Sequence, residues 1–281
     1  MRTQAEKATA FRALHLRPGA FIVPNPWDAG SAKLLAALGF EALATTSLGL
    51  ANVLGRVDGA GAIDRSEVID NCFAIAEATD LPVNADLENC YAHQPRAAAQ
   101  MILLAAHEAG VVGGSIEDAS GDPDKPIYDF QLAVERVHAA VETARSLAFP
   151  FTLTARAENL LHGRNDLDDT IKRLQAFEKA GADVLYAPGL RDLAAIRTVV
   201  QSVSKPVNVL MGTADPSITL AELAEAGAKR ISVGGALSRL ALGAFLKGAK
   251  EMKETGGFTW IRDAVPTKEL KAVFTSQPPY A

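Results

Sequence analysis

Residues 108–118, "EAGVVGGSIED", hold a helix end, a glycine and a short apolar run that closes on two acids. The same phrase recurs as "ALGFEALATTS" (37–47), "KAGADVLYAPG" (179–189) and "EAGAKRISVGG" (225–235). A second phrase, a proline entering an apolar run, recurs as "LPVNADLE" (81–88), "FPFTLTARAE" (149–158) and "KPVNVLMG" (205–212). Glycine just past a helix end takes the left-handed conformation that stops the helix. Proline at a strand's first position blocks helix without removing a ladder donor that is needed. Both phrases therefore start strands. With "AFIVPN" (20–25) in front they give eight strand candidates, each a nearly continuous apolar run suited to burial on both faces.

The intervening segments are amphipathic. Asp129 to Leu147 carries Leu132, Val134, Val137, Val141 and Leu147 on one helical stripe. Eight alternations of strand and helix in 281 residues predict a TIM-type (β/α)8 barrel of class α/β. An open doubly wound sheet is the rival, but it wants a glycine-rich dinucleotide turn after the first strand, and "VPNPWDAGS" (23–31) has no GxGxxG. No low-complexity linker divides the chain, so residues 1–281 read as a single barrel domain. Its core runs from about 20 to 243, an extra helix from about Thr3 to Leu16 precedes it, and a helical extension over 244–281 follows.

Composition bounds the function. Hydrophobic residues make up 48% and charged ones 22%, with a net charge of −5 and no basic face, which disfavours nucleic acid and favours a small-molecule partner. No signal-peptide core or uninterrupted apolar run of membrane-spanning length occurs, so a soluble, cytoplasmic protein without a membrane partner is expected. Two cysteines, Cys72 and Cys90, without CxxC spacing argue against a disulfide framework and against structural zinc.

Barrel chemistry sits at the C-terminal ends of the strands. Those ends carry Asn25 and Asp28, Ser47, Asp86 and Glu88, Glu117 and Asp118, Arg156 and Glu158, Asn208, and Gly234 with Gly235. Side chains alternate along a strand, so Asp86 and Glu88 share a face, Arg156 and Glu158 share a face, and only one of Glu117 and Asp118 enters the mouth. Carboxylates crowded in this way raise one another's pKa unless a cation lies among them, and Mg²⁺ or Mn²⁺ fits such an oxygen site. Arg156 is the natural fork for a substrate carboxylate. The segment 119–128, "ASGDPDKPIY", with Lys125 in its middle, is long for a βα connection and has the character of a lid. Cys90 lacks a histidine partner at an established spacing, and His162 in "NLLHGRND" (159–166) is an acid–base candidate. The absence of a lysine at the ends of the third, fifth and sixth strands disfavours a Schiff-base aldolase.

Four segments in order, "TTSLGLANVLGRVDG" (45–59), "PVNADLENCYA" (82–92), "SIEDASGDPDKP" (115–126) and "LTARAENLLHGRND" (153–166), resemble the signature segments of the isocitrate lyase and phosphoenolpyruvate mutase superfamily. The resemblance runs from about Pro24 to Gly243. It implies a Mg²⁺-dependent barrel enzyme that makes or breaks a C–C or P–C bond beside a carboxylate through an enolate. It also implies roles: Asp86, Glu88 and Glu117 at the metal, and Asp58 reaching it through water. By the same resemblance Ser47, Leu48, Gly49 and Arg156 would hold the substrate carboxylate, with Arg156 and Glu117 in the chemistry; strand-end position adds Asn208 to the substrate contacts, and the lid adds Lys125 to the catalytic candidates. The resemblance further implies a homo-oligomer, a dimer or tetramer, with the C-terminal helix exchanged between subunits.

The departures bear on the reaction. The lid has neither the cysteine nor the histidine of the tricarboxylate lyases' "KKCGH", and "APG" (187–189) stands where those lyases carry a glutamate. Cys90 and Ala92 replace two family glycines, with a narrower pocket as the expectation. The leading expectation is a lyase acting on a small 2-oxo- or 2-hydroxy-acid. Phosphonopyruvate mutase or hydrolase chemistry, oxaloacetate-type decarboxylation and a 2-oxo-acid binding protein stand as alternatives.

Overall fold

The computed structural model describes residues 2–59 and 61–275; the last six residues of the extension, 276–281, lie outside the described set. Eight parallel strands form one sheet in the order β1-β8-β7-β6-β5-β4-β3-β2. They are β1 Phe21–Ile22, β2 Leu43–Ala44, β3 Val83–Ala85, β4 Gly113–Glu117, β5 Thr152–Arg156, β6 Val184–Tyr186, β7 Val207–Leu210 and β8 Arg230–Ser232. β1 pairs with β8, and the remaining seam is bridged where the Ala44 N–H donates to the Pro24 carbonyl at 3.1 Å. Asn25 clasps the same seam. Its Oδ1 accepts from the N–H groups of Val233 and Gly234 at 2.9 Å each, and its Nδ2 donates to the Thr45 carbonyl at 3.0 Å. The predicted TIM-type barrel is therefore the observed architecture.

The helices pack around the sheet: α1 Gln4–Leu16, α2 Ala29–Ala37, α3 Ser47–Leu54, α4 Arg65–Glu77, α5 Pro95–His107, α6 Phe130–Ser146, α7 Leu167–Ala180, α8 Leu193–Gln201, α9 Leu220–Glu225, α10 Ala236–Thr255 and α11 Thr267–Thr275. The stripe read over 129–147 is α6, whose Ala133, Val137, Ala140, Val141 and Ala144 are buried. The anticipated first helix is α1, started by a capping box between Thr3 and Glu6. It closes the N-terminal end of the barrel, because Phe11 and His15 stack edge-on against Phe21 with ring centroids 6.5 and 5.0 Å away. With that end plugged, the functional opening is at the other.

One element escapes the sequence pattern. α3 begins immediately after β2, with the Thr46 hydroxyl accepting from the Gly49 N–H at 3.4 Å. A Cβ at position 49 would lie 2.6 Å from Thr46 Cγ2 and 2.7 Å from Trp27 Cβ, so only glycine lets this helix start seat against the strand ends. After β8, α10 leaves Leu240, Phe245 and Leu246 exposed at 70, 68 and 52%. α11 rests on α2 of the same chain.

Candidate active site

The inward faces of the strand ends meet in a cavity of about 240 Å³ lined by Ser47, Leu48, Asp58, Asp86, Arg156, Tyr186, Asn208, Arg230 and Ser232 among others. A larger recess, of about 660 Å³, lies on the plugged side around Arg12, His15 and Lys205, away from every strand C-terminus. Strand geometry selects the smaller one as the place for chemistry.

Arg156, the last residue of β5, organises the mouth. Its Nη1 donates to Asp86 Oδ1 at 2.7 Å, its Nη2 lies 3.2 Å from Glu117 Oε2, and its Nε donates to Glu158 Oε1 at 2.8 Å. Burial works against this charge, but Glu158, Glu117 and Asp86 outweigh it and hold the arginine well above its ordinary pKa. Tyr186 supports the guanidinium from one side, with its ring centroid 5.1 Å from Cζ.

Asp86 is fixed on every side. Its backbone N–H donates to Thr45 Oγ1 at 2.8 Å, while its carboxylate accepts from the Ser47 N–H at 3.2 Å and from Ser115 Oγ at 3.3 Å. The start of α3 thus points the Ser47 N–H toward the principal acid of the mouth. Leu48 reaches over to Gly235, where a Cβ would lie 2.6 Å from Leu48 Cδ2, which accounts for the glycine at the end of the eighth strand.

Of the adjacent pair Glu117 and Asp118, only Glu117 enters the mouth, as alternation requires. Asp118 turns outward to Arg173 at 3.0 Å and accepts the Glu158 N–H at 2.8 Å. Burial raises Glu117 well above the ordinary glutamate pKa even against Arg156. Burial likewise lifts Glu88 to about 7, opposed by a 2.5 Å hydrogen bond from the Tyr91 hydroxyl. Asp58 is raised too, first by burial and then by Asp86, and its Oδ1 is buried without a hydrogen-bond partner.

These acids have more negative charge to settle than Arg156 supplies, and an orphaned carboxylate oxygen is the kind of atom that a hard divalent cation satisfies. Among the described residues no three Asp, Glu, His or Cys side chains converge on one point. Mg²⁺ needs only one or two carboxylates besides water and substrate oxygens, so the donor set fits that ion.

Other predicted residues fall elsewhere. Asn208 is inside the barrel, donating to Ser232 Oγ at 2.9 Å and accepting from Arg230 Nε at 2.8 Å. Lys125 is exposed at the tip of the 119–128 segment, apart from the cavity wall. That segment is folded on itself: Ser120 Oγ donates to the Lys125 carbonyl at 2.5 Å and the Ser120 N–H to the Pro126 carbonyl at 2.9 Å. His162 is exposed.

Cys90 and Ala92 do not narrow the pocket. Cys90 is 1% exposed in the core and neither residue lines the cavity. What the replacement at Cys90 changes is backbone energy, because Cys90 holds φ of 59°, a region that non-glycine residues seldom occupy, between Glu88 and Tyr91 at 47 and 54°; Ala92 has no such strain. Arg136 keeps the loop there, donating to the carbonyls of Asn89, Ala92 and His93 while lying 4.3 Å over the Tyr128 ring. Burial raises the Cys90 thiol to about 12, which removes it as a nucleophile.

Sequence reading also gave no role to Glu158, Thr45, Ser115, Tyr186 or Arg230. Glu158 was legible through its period-two spacing from Arg156. Arg230 was legible as a charge two residues before Ser232 on the same face of the eighth strand.

The fold and mouth define a class, the (β/α)8 enzymes whose strand ends gather acids around one arginine. The chain belongs to the phosphoenolpyruvate phosphomutase family, whose model matches residues 11–253. It is 57% identical to a crystal structure provisionally assigned as a lyase/mutase from Burkholderia cenocepacia J2315, covering 97% of each chain with a TM-score of 0.94. It is 28% identical to the crystal structure of 2,3-dimethylmalate lyase, a PEP mutase/isocitrate lyase superfamily member, covering 98% of this chain and 95% of that one with a TM-score of 0.84. It is also similar to oxaloacetate decarboxylase from Marinomonas sp. (strain MWYL1), at 26% identity over 83% of this chain and 80% of that enzyme. The expected superfamily is therefore the correct one, and the chain is an enzyme of it. No helix among the described residues is long and apolar enough to cross a membrane.

Proposed function

We propose that the protein is a Mg²⁺-dependent lyase that cleaves or forms a C–C bond next to a carboxylate in a small 2-oxo- or 2-hydroxy-acid through an enolate. The observation that carries this reading is Arg156 held by Asp86, Glu117 and Glu158 beside the N-terminus of α3, at the opening of a cavity sized for a small metabolite. One or two of Asp86, Glu88 and Glu117 would hold the ion directly, with the others and Asp58 contributing through water. Bound there, Mg²⁺ supplies Lewis-acid stabilisation of the developing enolate oxygen.

The chain's own groups do the rest. The start of α3 presents a positive helix end to the substrate carboxylate through the Leu48 N–H, the Ser47 and Gly49 N–H groups being taken by Asp86 and Thr46. Arg156 keeps a fixed cation beside the oxygen on which charge develops, and no reorganisation is needed as it does so. Asn208 orients the substrate from the far wall. Closure of the 119–128 segment would bring Lys125 to the opening as the proton-carrying group and exclude water. The exposed apolar residues Leu240, Phe245 and Leu246 on α10 support assembly as a homo-oligomer.

The test is turnover of methylisocitrate, oxaloacetate and phosphonopyruvate with Mg²⁺ and after chelation, for the wild type and Asp86→Ala. Cleavage of a C–C substrate that needs both Mg²⁺ and Asp86 supports the reading. Turnover of phosphonopyruvate alone transfers the proposal to P–C bond chemistry, the second reading, which the family match and the lid free of Cys and His favour. Binding of 2-oxo-acids without turnover of any substrate rejects both.

A further inference from the structure

Arg230 is a second arginine inside the barrel, and its surroundings are the reverse of those of Arg156. It begins β8 two residues before Ser232, so both side chains face inward and Arg230 lies about 6–7 Å further from the mouth. It is 3% exposed. Its Nε donates to Asn208 Oδ1 at 2.8 Å and its Nη2 to Thr154 Oγ1 at 3.0 Å, both neutral acceptors. Its Nη1 is buried without a hydrogen-bond partner, and the residue lines the same cavity as Arg156, Tyr186 and Ser232. Among the described residues no carboxylate pairs with it. Burial pulls its pKa down to about 10, so it stays charged at neutral pH.

A buried guanidinium without a counter-ion is costly, and an apolar side chain of similar volume at that place would carry none of the desolvation penalty. Arg156 has three carboxylates for its one charge; Arg230 has none. The cation that lacks a partner therefore lies in the depth of the cavity, away from the mouth where Arg156 already has its carboxylates. A cavity of about 240 Å³ is also smaller than the pockets of drug-sized ligands, which limits the occupant to a compact molecule.

We infer that Arg230 receives a second anionic group of the substrate, a carboxylate or phosphonate, at its unpaired Nη1, so that the site selects compact dianions over monoanions. This rests on the proposed function, in which the first carboxylate is held at the other end.

Calorimetric titration in the presence of Mg²⁺ compares three ligands that share a 2-hydroxy-acid head: malate, 2-hydroxy-3-phosphonopropanoate and 2-hydroxybutyrate. Wild type is expected to bind at least one of the two dianions about tenfold or more tightly than 2-hydroxybutyrate, and the tighter of them identifies the tail group. Arg230→Met and Arg230→Gln are expected to abolish that preference while changing 2-hydroxybutyrate affinity by no more than about threefold. Equal affinity of wild type for all three, or a preference that survives both variants, overturns the assignment and leaves the functional reading standing. Failure of wild type to bind any of them removes the functional reading instead. Arg239→Met, at the exposed rim of the cavity, decides the matter if neither Arg230 variant folds. A preference retained there supports Arg230, and a preference lost there overturns it.

Discussion

Replacing Arg156 by methionine takes the cation from three carboxylates at 2.7, 2.8 and 3.2 Å. The magnitude follows from how wet each partner is. Glu158 is 3% exposed and bears the full penalty of an uncompensated buried charge, about 3–5 kcal/mol. Asp86 and Glu117, at 17 and 12%, have some access to water and bear less of it. The total therefore stays near about 3–5 kcal/mol at pH 8 and does not triple. Glu117, already raised by burial, loses the arginine that opposes the shift, so the native variant binds more proton there than the unfolded chain does. Its stability grows as pH falls, by up to about 1.4 kcal/mol per group per pH unit. Urea unfolding at pH 8 and pH 5.5, without metal, reads both effects. A deficit below about 1 kcal/mol at pH 8, or one that widens toward pH 5.5, would refute the charge balance described for the mouth.

Gly49→Ala forces a Cβ within 2.7 Å of Thr46 and Trp27, and thermal unfolding should show a loss of about 1–3 kcal/mol with weakened substrate binding. Arg136→Met releases the loop that holds Glu88 at φ 47°; Mg²⁺ affinity by calorimetry should fall about tenfold, and unchanged affinity would show that the loop needs no such grip. Burial lowers His15 to about 3, so the unfolded chain binds the extra proton as pH falls below about 6.5. Stability should drop there by up to about 1.4 kcal/mol per pH unit, and His15→Gln should flatten that slope in urea titrations at pH 4.5 to 7. Lys125→Ala should leave the unfolding midpoint unchanged and lower kcat about 100-fold, whereas full activity removes the lysine from proton transfer.

The barrel was legible because its two strand-starting phrases are written in local chemistry, glycine stops and proline entries, that tertiary packing does not override. Strand alternation also placed Asp86, Glu117 and Arg156 together, and it assigned Asp118 to the outside, where Arg173 meets it. What was hidden depends on contacts distant in sequence. α3 lacks helix-start signals strong enough to separate it from the loop that follows, and its seat depends on Trp27. The meaning of Cys90 was read as pocket volume, but the loop turns its side chain into the core, so the replacement acts on the backbone. Nothing in "KRISV" (229–233) discloses whether Arg230 has an acid opposite it, since partners across a barrel come from strands far along the chain.

The most direct measurement of the central claim is the Mg²⁺ dependence of substrate turnover in wild type and Asp86→Ala, assayed on the same panel of carboxylic acids. The account predicts cleavage beside a carboxylate that disappears on chelation, returns with Mg²⁺, and is absent from the variant at every Mg²⁺ concentration. Turnover that persists without metal and is undiminished by Asp86→Ala would contradict it.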